Sequence, residues 1–317
     1  MKKLIKALPI FWLICGVAFA AASYVGYCQL RSSDDNAKQM THHIQSKQQS
    51  QQQLKNKNQQ AVFDPDQIKP VTPSEYAAAQ LQYEDIVNNY GIGSIYIPSA
   101  RVQTKILAGM ANQNLMVAVG TYYPDQLLGK GNYVLLAHNL VEGGGALGNL
   151  PNTKLGHVIY ATDFSTVFEY TAKKNEVVNQ ASGQLLEKPE DNKPALITLF
   201  RCEGALNTPN RALVQGEFVR SYPASEASND VKIGLGLGAM TEKARPEESS
   251  GQTAQEIKKN TDRDQRTKQF KQEKPSFSLF EKIAIICFSM VNKYPLLFGF
   301  GFLIILFILQ HTTRNGI

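Results

Sequence analysis

The middle of the chain alternates short apolar runs with turn-forming residues, which is typical of β-structure rather than of long helices. Gly, Pro and Asn are frequent between the runs. The predicted strands are Gly93–Ile97, Leu115–Val119, Asn132–His138, His157–Thr162, Val167–Ala172, Ala195–Cys202 and Arg211–Arg220. The segment Pro73–Asn88 is predicted to form one helix. Many short strands with little helix favour a closed or nearly closed β-barrel, so we predict an all-β fold.

The N-terminal region, residues 1–30, is predicted to be a membrane anchor. It has three early lysines and then no charge until Arg31, and its apolar stretch is long enough to cross a hydrocarbon core of about 30 Å. Cations favour the cytoplasmic side, so we expect the N-terminus in the cytoplasm and the rest outside. A cleaved signal peptide is the alternative, because Ala18-Phe19-Ala20 fits a cleavage pattern.

A second apolar stretch, residues 281–310, is interrupted by Asn292, Lys293 and Pro295. Each half alone is too short to cross a bilayer, so we predict one tilted, kinked membrane segment, with an interfacial hairpin as the alternative. Lysines before this stretch oppose an outside location for the residues that precede it. We nevertheless keep that location, because the first membrane helix usually determines orientation.

Two polar segments flank the middle region, residues 61–222, which is the predicted catalytic barrel. Residues 31–60 are rich in Gln, and such a composition buries too little apolar surface to offset the entropy of ordering, so we predict a stalk. Its pair His42 and His43 is expected to be solvated rather than a metal site, because no cluster of Cys or carboxylates accompanies it. Residues 223–280 are predicted to be a charged linker.

The cysteines and charges agree with an exported, anchored protein. The chain has 317 residues, a net charge of +6 and four cysteines. Cys15 and Cys287 lie in the apolar stretches and Cys28 follows the first of them, so only Cys202 belongs to the folded middle. This indicates a free thiol rather than a disulfide framework. We expect neither a metal nor a cofactor.

His138, Cys202 and Arg211 are the candidate catalytic residues, each at the end or the beginning of a predicted strand. A thiol with a pKa of about 8.5 is mostly protonated at neutral pH, so attack on an amide needs an imidazole to accept its proton. His138 is the candidate partner of Cys202. Arg211 carries a permanent charge that can stabilise the developing oxyanion.

Several motifs together resemble the class A sortases, the cell-wall transpeptidases of Gram-positive bacteria, over Phe63 to Val219. They are GSIYIPSARV, LLGKGNYVLLAHN, GALGNLPNTKLGHVIYATD, TVFEYTAKKNEVV, and ITLFRCEG with NTPNRALVQGEF. The resemblance implies an eight-stranded barrel and a membrane-anchored transpeptidase with an extracellular catalytic domain. Its implied partners are surface proteins with a Leu-Pro-x-Thr-Gly-like signal, cut between Thr and Gly, and a lipid-linked peptidoglycan precursor whose amine accepts the product. No nucleic acid partner is expected.

The chain departs from the family pattern at two positions. Ala137 stands where the family usually has Gly before the His, and Arg201 stands where it has Thr before the Cys. We predict that Ala137, Asn139 and Arg201 contribute to substrate binding. Two other functions are kept open, namely a cysteine protease that hydrolyses its acyl-enzyme and a surface scaffold without activity.

Overall fold

The structure is a computed structural model that describes residues 2–31, 40–139, 144–179, 183–187, 189, 193–202, 209–238, 270–272 and 277–314. It divides into two units. The first comprises Met1–Ser32, Thr72–Leu81 and Phe277–Ile317, and the second comprises Ser33–Val71 and Gln82–Ser276. Each unit is described by itself.

The helices, numbered in chain order, are α1 (Lys2–Arg31), α2 (Lys47–Asn58), α3 (Pro73–Leu81), α4 (Tyr83–Tyr90), α5 (Asn112–Val117), α6 (Asn229–Leu235), α7 (Leu279–Lys293) and α8 (Pro295–Arg314). The strands are β1 (Met40–His43), β2 (Gly91–Ile97), β3 (Val102–Leu107), β4 (Val119–Thr121), β5 (Asn132–Ala137), β6 (Val158–Thr162), β7 (Thr166–Asn179), β8 (Leu196–Cys202), β9 (Asn210–Pro223), β10 (Leu237–Gly238) and β11 (Phe270–Gln272).

Eight of these strands form a closed barrel in the order β2-β3-β4-β5-β8-β9-β7-β6. The β3/β4 and β5/β8 pairs are parallel and the other pairs are antiparallel. The barrel core consists of aliphatic and tyrosine side chains from alternating positions of the strands, such as Tyr133, Leu135, Ile197 and Leu199. The predicted all-β barrel of eight strands is confirmed.

Three details of the predicted elements are wrong. The predicted strand Leu115–Val119 is mostly α5, followed by the short β4. The predicted helix Pro73–Asn88 is broken at Gln82 into α3 and α4. The strand β3 was not predicted, because the buried Lys105 and Thr104 interrupt its apolar pattern.

The Gln-rich segment (residues 40–58) folds against the barrel, which corrects the prediction of a solvated stalk for these residues. Its strand β1 lies between β10 and β11 in a three-stranded sheet. Its helix α2 begins with a capping box at Ser46 and Gln49. Residues 237–238 and 270–272, which the sequence assigns to a charged linker, supply the other two strands, while 239–269 lie outside the described residues.

His42 is fully buried rather than solvated, which corrects a second expectation about this segment. Its ring stacks on Phe164, with 3.7 Å between the ring centroids, and Nδ1 lies 2.7 Å from the His43 carbonyl oxygen. Burial lowers the pKa of His42 to about 3. The imidazole therefore acts as a neutral aromatic packing element.

The first unit contains the apolar helices. α1 includes a stretch of 21 residues, Ile10–Leu30, that is long and apolar enough to cross a membrane. α7 packs against α1, where Gly26 meets Ala284 and the Tyr27 ring lies near that of Phe288, while Phe19 stacks on Phe298 of α8. A Cβ at Gly26 would overlap the Ala284 carbonyl oxygen, so glycine permits this close approach. α7 and α8 are bent by 91° at the break between them.

Candidate active site

Three residues predicted to carry the chemistry lie side by side across neighbouring strands. β5 and β8 are parallel with Ala137 opposite Arg201, so His138 and Cys202 are each one residue further along. On the other side of β8, Cys202 is opposite Arg211 of the antiparallel β9. Neighbouring strands are about 4.8 Å apart. His138, Cys202 and Arg211 therefore form a continuous row, which we call the strand-end row.

The strand-end row faces the opposite side of the sheet from the residues that adjoin it. Ala137, Arg201 and Ala212 are only 6%, 4% and 2% exposed, whereas each member of the row is partly exposed. Successive side chains of a strand point to opposite faces, which accounts for this change. The row is thus accessible to a substrate on a face that Arg201 does not share.

His138 is held by α5 through two hydrogen bonds. Its backbone N–H donates to the Leu115 carbonyl at 3.0 Å, and its Nε2 lies 2.8 Å from Oδ1 of Asn112. Burial lowers the pKa of His138 to about 4. At neutral pH the imidazole is therefore neutral and able to accept a proton.

Cys202 is a free, half-buried thiol at the last position of β8. Arg211, which is paired with it across the ladder, donates from Nη1 to the carbonyl of Asn210 at 2.9 Å. A half-buried thiol at a strand end is open to attack a bound carbonyl group. The paired guanidinium supplies positive charge on the neighbouring strand, where an oxyanion formed at the thiol would develop.

An apolar surface adjoins the strand-end row on the same face. Leu136 and Phe200 each lie two residues before a member of the row, so their side chains point to the same side. Leu136 packs in a small cluster with Met110 and Leu115, against which Phe200 and Tyr122 are partly buried. The partly exposed Phe200 and Tyr122 therefore give this face an apolar surface beside the strand-end row.

Comparisons with known proteins agree with this arrangement. The model of the sortase domain matches residues 95–219, which include the whole strand-end row. The "Putative sortase YwpE" of Bacillus subtilis is 36% identical over 98 residues, which cover 31% of this chain and 93% of that protein. The chain belongs to the sortase family. It is therefore a cysteine transpeptidase, and the family anchors proteins to the cell surface.

Two further similarities concern sortase A of Listeria monocytogenes. Sortase A of Listeria monocytogenes is 29% identical over 168 residues, which cover 53% of this chain and 72% of that protein. The crystal structure of sortase A from the same species has a TM-score of 0.42 and 26% identity, and covers 46% of this chain and 97% of that one.

The structure brings together some of the predicted site residues of this sortase and separates others. The strand-end row is assembled, and Asn139 follows it directly in the chain. Ala137 and Arg201 are buried on the other face. Arg201 donates from Nη1 to the Cys202 carbonyl at 2.9 Å and from Nη2 to the Gly148 carbonyl at 3.2 Å. These bonds tie the end of β8 to the loop that contains Gly148.

Sequence reasoning missed Asn112, which contacts His138 directly. Asn112 lies 26 residues before His138, in a stretch without any motif that points to chemistry. Its position before an apolar run was the one signal that the sequence offered. In the structure, α5 brings Asn112 to the end of β5. A contact of this kind depends on the packing of a short helix and cannot be inferred from spacing.

Proposed function

We propose that this sortase is of class A and cleaves a Leu-Pro-x-Thr-Gly-like signal between Thr and Gly, with Cys202 as nucleophile, His138 as acid and base, and Arg211 as oxyanion donor. The observation that carries the proposal is the strand-end row, in which His138 directly follows β5 and Cys202 and Arg211 are paired on β8 and β9. The sequence similarity to sortase A of Listeria monocytogenes supports the class.

In the first half of the reaction, His138 accepts the thiol proton while the sulfur of Cys202 bonds to the Thr carbonyl carbon. The negative charge that forms on the carbonyl oxygen is stabilised by Arg211. The carbon–nitrogen bond then breaks, and the leaving Gly amine takes the proton from His138. The product is a thioester between the surface protein and Cys202.

In the second half, an amine of a lipid-linked peptidoglycan precursor attacks the thioester. His138 removes a proton from the attacking amine, the new amide bond forms, and the carbon–sulfur bond breaks. The proton returns to the sulfur, so the enzyme ends as it began. Burial lowers the pKa of His138, so at neutral pH the ring is neutral and begins each half reaction with a lone pair that can accept a proton.

The apolar surface beside the row is the proposed binding site for the Leu and Pro of the signal. Phe200 and Tyr122 have ring centroids 6.4 Å apart and lie on the approach to Cys202. Burying one apolar side chain contributes about 1.5–3 kcal/mol to the free energy of binding. Contacts to the Leu and Pro can therefore position the peptide, while the variable third residue of the signal needs no contact.

The proposed orientation places the N-terminus in the cytoplasm and the barrel outside. The contact between Gly26, near the end of α1, and Ala284, near the beginning of α7, supports a common side of the membrane for these two helix ends. The cation-rich residues before α7 then lie outside, contrary to the usual charge bias. Thiol labelling in intact cells of Ser278→Cys, in a variant whose four native cysteines are replaced by Ser, tests this, since protection from an impermeant reagent would place the start of α7 inside.

The test of function uses the full-length protein in detergent with a signal peptide, with and without triglycine as acceptor, and mass spectrometry of the products. We expect release of the peptide that begins with Gly, and a new amide with triglycine. Formation of the free acid alone, even with triglycine in excess, would indicate a cysteine protease. Absence of cleavage with all acceptors would indicate a scaffold without activity.

A further inference from the structure

The contact between Asn112 and His138 determines which ring nitrogen carries the proton. Oδ1 of Asn112 lies 2.8 Å from Nε2 of His138 and also accepts the backbone N–H of Lys69 at 3.1 Å. A backbone N–H only donates, so the Asn112 atom that faces both groups is the oxygen and not the amide nitrogen. An amide oxygen only accepts, and Nε2 of His138 must therefore carry a hydrogen.

A neutral imidazole has one N–H group and one nitrogen with a lone pair. If Nε2 carries the hydrogen, Nδ1 is the nitrogen that can accept a proton. We propose that Asn112 is a positioning residue that holds neutral His138 as the Nε2–H tautomer, so that Nδ1 exchanges protons with Cys202 and the substrate. This inference rests on the proposed function for its consequence, but the tautomer can be measured without any turnover.

The short helix α5 fixes both the backbone and the ring of His138. The Leu115 carbonyl accepts the His138 backbone N–H at 3.0 Å, while Asn112, at the first position of the same helix, accepts from the ring. Two contacts to one rigid element restrict rotation of the imidazole about its side-chain bonds. Asn114 of the same helix has a different task, since its Nδ2 donates to the Ala108 carbonyl at 3.1 Å and its side chain is buried.

The central variants are Asn112→Leu, which removes the acceptor at similar size, and Asn112→Asp, which keeps an acceptor at the same place. Lys69 is exposed, so water can satisfy its N–H in either variant. Gln113→Leu changes the exposed neighbour on α5 and serves as the silent control. Asn114→Ala serves as the control for loss of a structural asparagine.

The first measurement is the nitrogen NMR spectrum of the full-length protein labelled with [15N]histidine, with His138 assigned by comparison with His138→Gln. We expect the Nε2–H tautomer in the wild type, Asn112→Asp, Gln113→Leu and Asn114→Ala. Asn112→Leu should show a mixture of tautomers. A wild-type His138 that carries its proton on Nδ1, or an unchanged tautomer in Asn112→Leu, would overturn the proposal.

The second measurement is the steady-state kinetics of peptide transfer. For Asn112→Leu we expect kcat to fall at least about tenfold with KM nearly unchanged, because the wrong tautomer impairs proton transfer rather than binding. Asn112→Asp should retain kcat within about threefold, since the acceptor is present. An Asn112→Leu enzyme with altered tautomers and normal kcat would refute the role in transfer. A wild type with the expected tautomer but without turnover would instead refute the proposed function.

Discussion

The strand-end row and the Gln-rich segment are both polar, yet the side chains of the first are partly exposed and those of the second make buried hydrogen bonds. In the strand-end row, three side chains project from strand ends, while the residues that adjoin them are buried on the opposite face. In the Gln-rich segment, buried polar side chains of α2 donate hydrogen bonds to backbone carbonyl groups at the start of β2, in α4 and in the turn after β6. Polarity alone therefore does not distinguish a candidate reactive surface from a structural contact. The two are distinguished by the direction in which each polar side chain points and by the group to which it hydrogen-bonds.

The structural contact of the Gln-rich segment is made along one face of α2. Ser50 donates to the Asp163 carbonyl at 2.8 Å, and Gln53 donates to that of Gly91 at 3.1 Å. Lys57 donates to the carbonyls of Asn88 and Gly91 at 2.8 and 2.7 Å. These positions recur at the helical spacing of three or four residues, so the helix has a polar face that is buried.

The first prediction concerns the thiol of Cys202. Cys202→Ala should abolish transfer completely, because the other three cysteines lie in the apolar helices and not in the barrel. The melting temperature should change by no more than about 2 °C, since a half-buried thiol at a strand end contributes little packing. Transfer by the full-length protein and circular dichroism check the two parts. Residual turnover above background would show that Cys202 is not the nucleophile.

The second prediction concerns the guanidinium. Arg211→Ala should lower kcat/KM by at least about a hundredfold, as expected for loss of an oxyanion donor. Arg211→Lys should recover little of this activity, because an ammonium lacks the planar arrangement of donors. Stability should stay near that of the wild type in both variants. Near-normal rates for Arg211→Lys would show that Arg211 acts only through its positive charge.

The sequence was sufficient to predict the barrel and the strand-end row because both depend on local patterns. His138, Cys202 and Arg211 each adjoin an apolar run, and strand ends that pair place such residues together. The sequence was insufficient where a polar side chain is satisfied by a distant backbone group. Lys57 and Asn112 belong to this class, since the carbonyl groups that Lys57 contacts lie 31–34 residues away and the backbone N–H that Asn112 accepts lies 43 residues away.

The prediction of short elements failed for a second reason. The run around Leu115 is apolar throughout, and over so few residues a buried helix cannot be distinguished from a strand. For β3 the buried Lys105 conceals the strand, because its long side chain enters the protein instead of solvent. Burial lowers the pKa of Lys105 to about 7, which reflects the cost of that placement.

The third prediction tests the structural role of the Gln-rich segment through Lys57. Lys57→Met should lower the free energy of unfolding by about 1–3 kcal/mol at pH 7, because carbonyl groups lose a buried donor. Burial lowers the pKa of Lys57 from its ordinary 10.5 to about 7. At pH values between these two pKa values, the folded state binds fewer protons than the unfolded state. The free energy of unfolding of the wild type therefore rises with pH, by at most about 1.4 kcal/mol per pH unit.

The difference between the wild type and Lys57→Met should therefore widen from pH 7 to pH 9, which urea denaturation followed by circular dichroism measures. Lys55→Met is the matched control, since Lys55 is exposed on the same helix. It should alter neither stability nor its pH dependence. Equal behaviour of the two variants would mean that the polar face of α2 does not hold the segment to the barrel.

The last prediction concerns Arg201, which adjoins the thiol in sequence but faces away from it. Arg201→Thr restores the residue that the family usually has at this position. Because the guanidinium donates to the carbonyls of Cys202 and Gly148 on the buried side, the pH dependence of Cys202 alkylation should move by less than about 0.3 units. Peptide transfer should fall by a few fold at most, as the loop that contains Gly148 loses one tie. A shift of alkylation by a full unit to higher pH would show instead that Arg201 stabilises the thiolate by its charge.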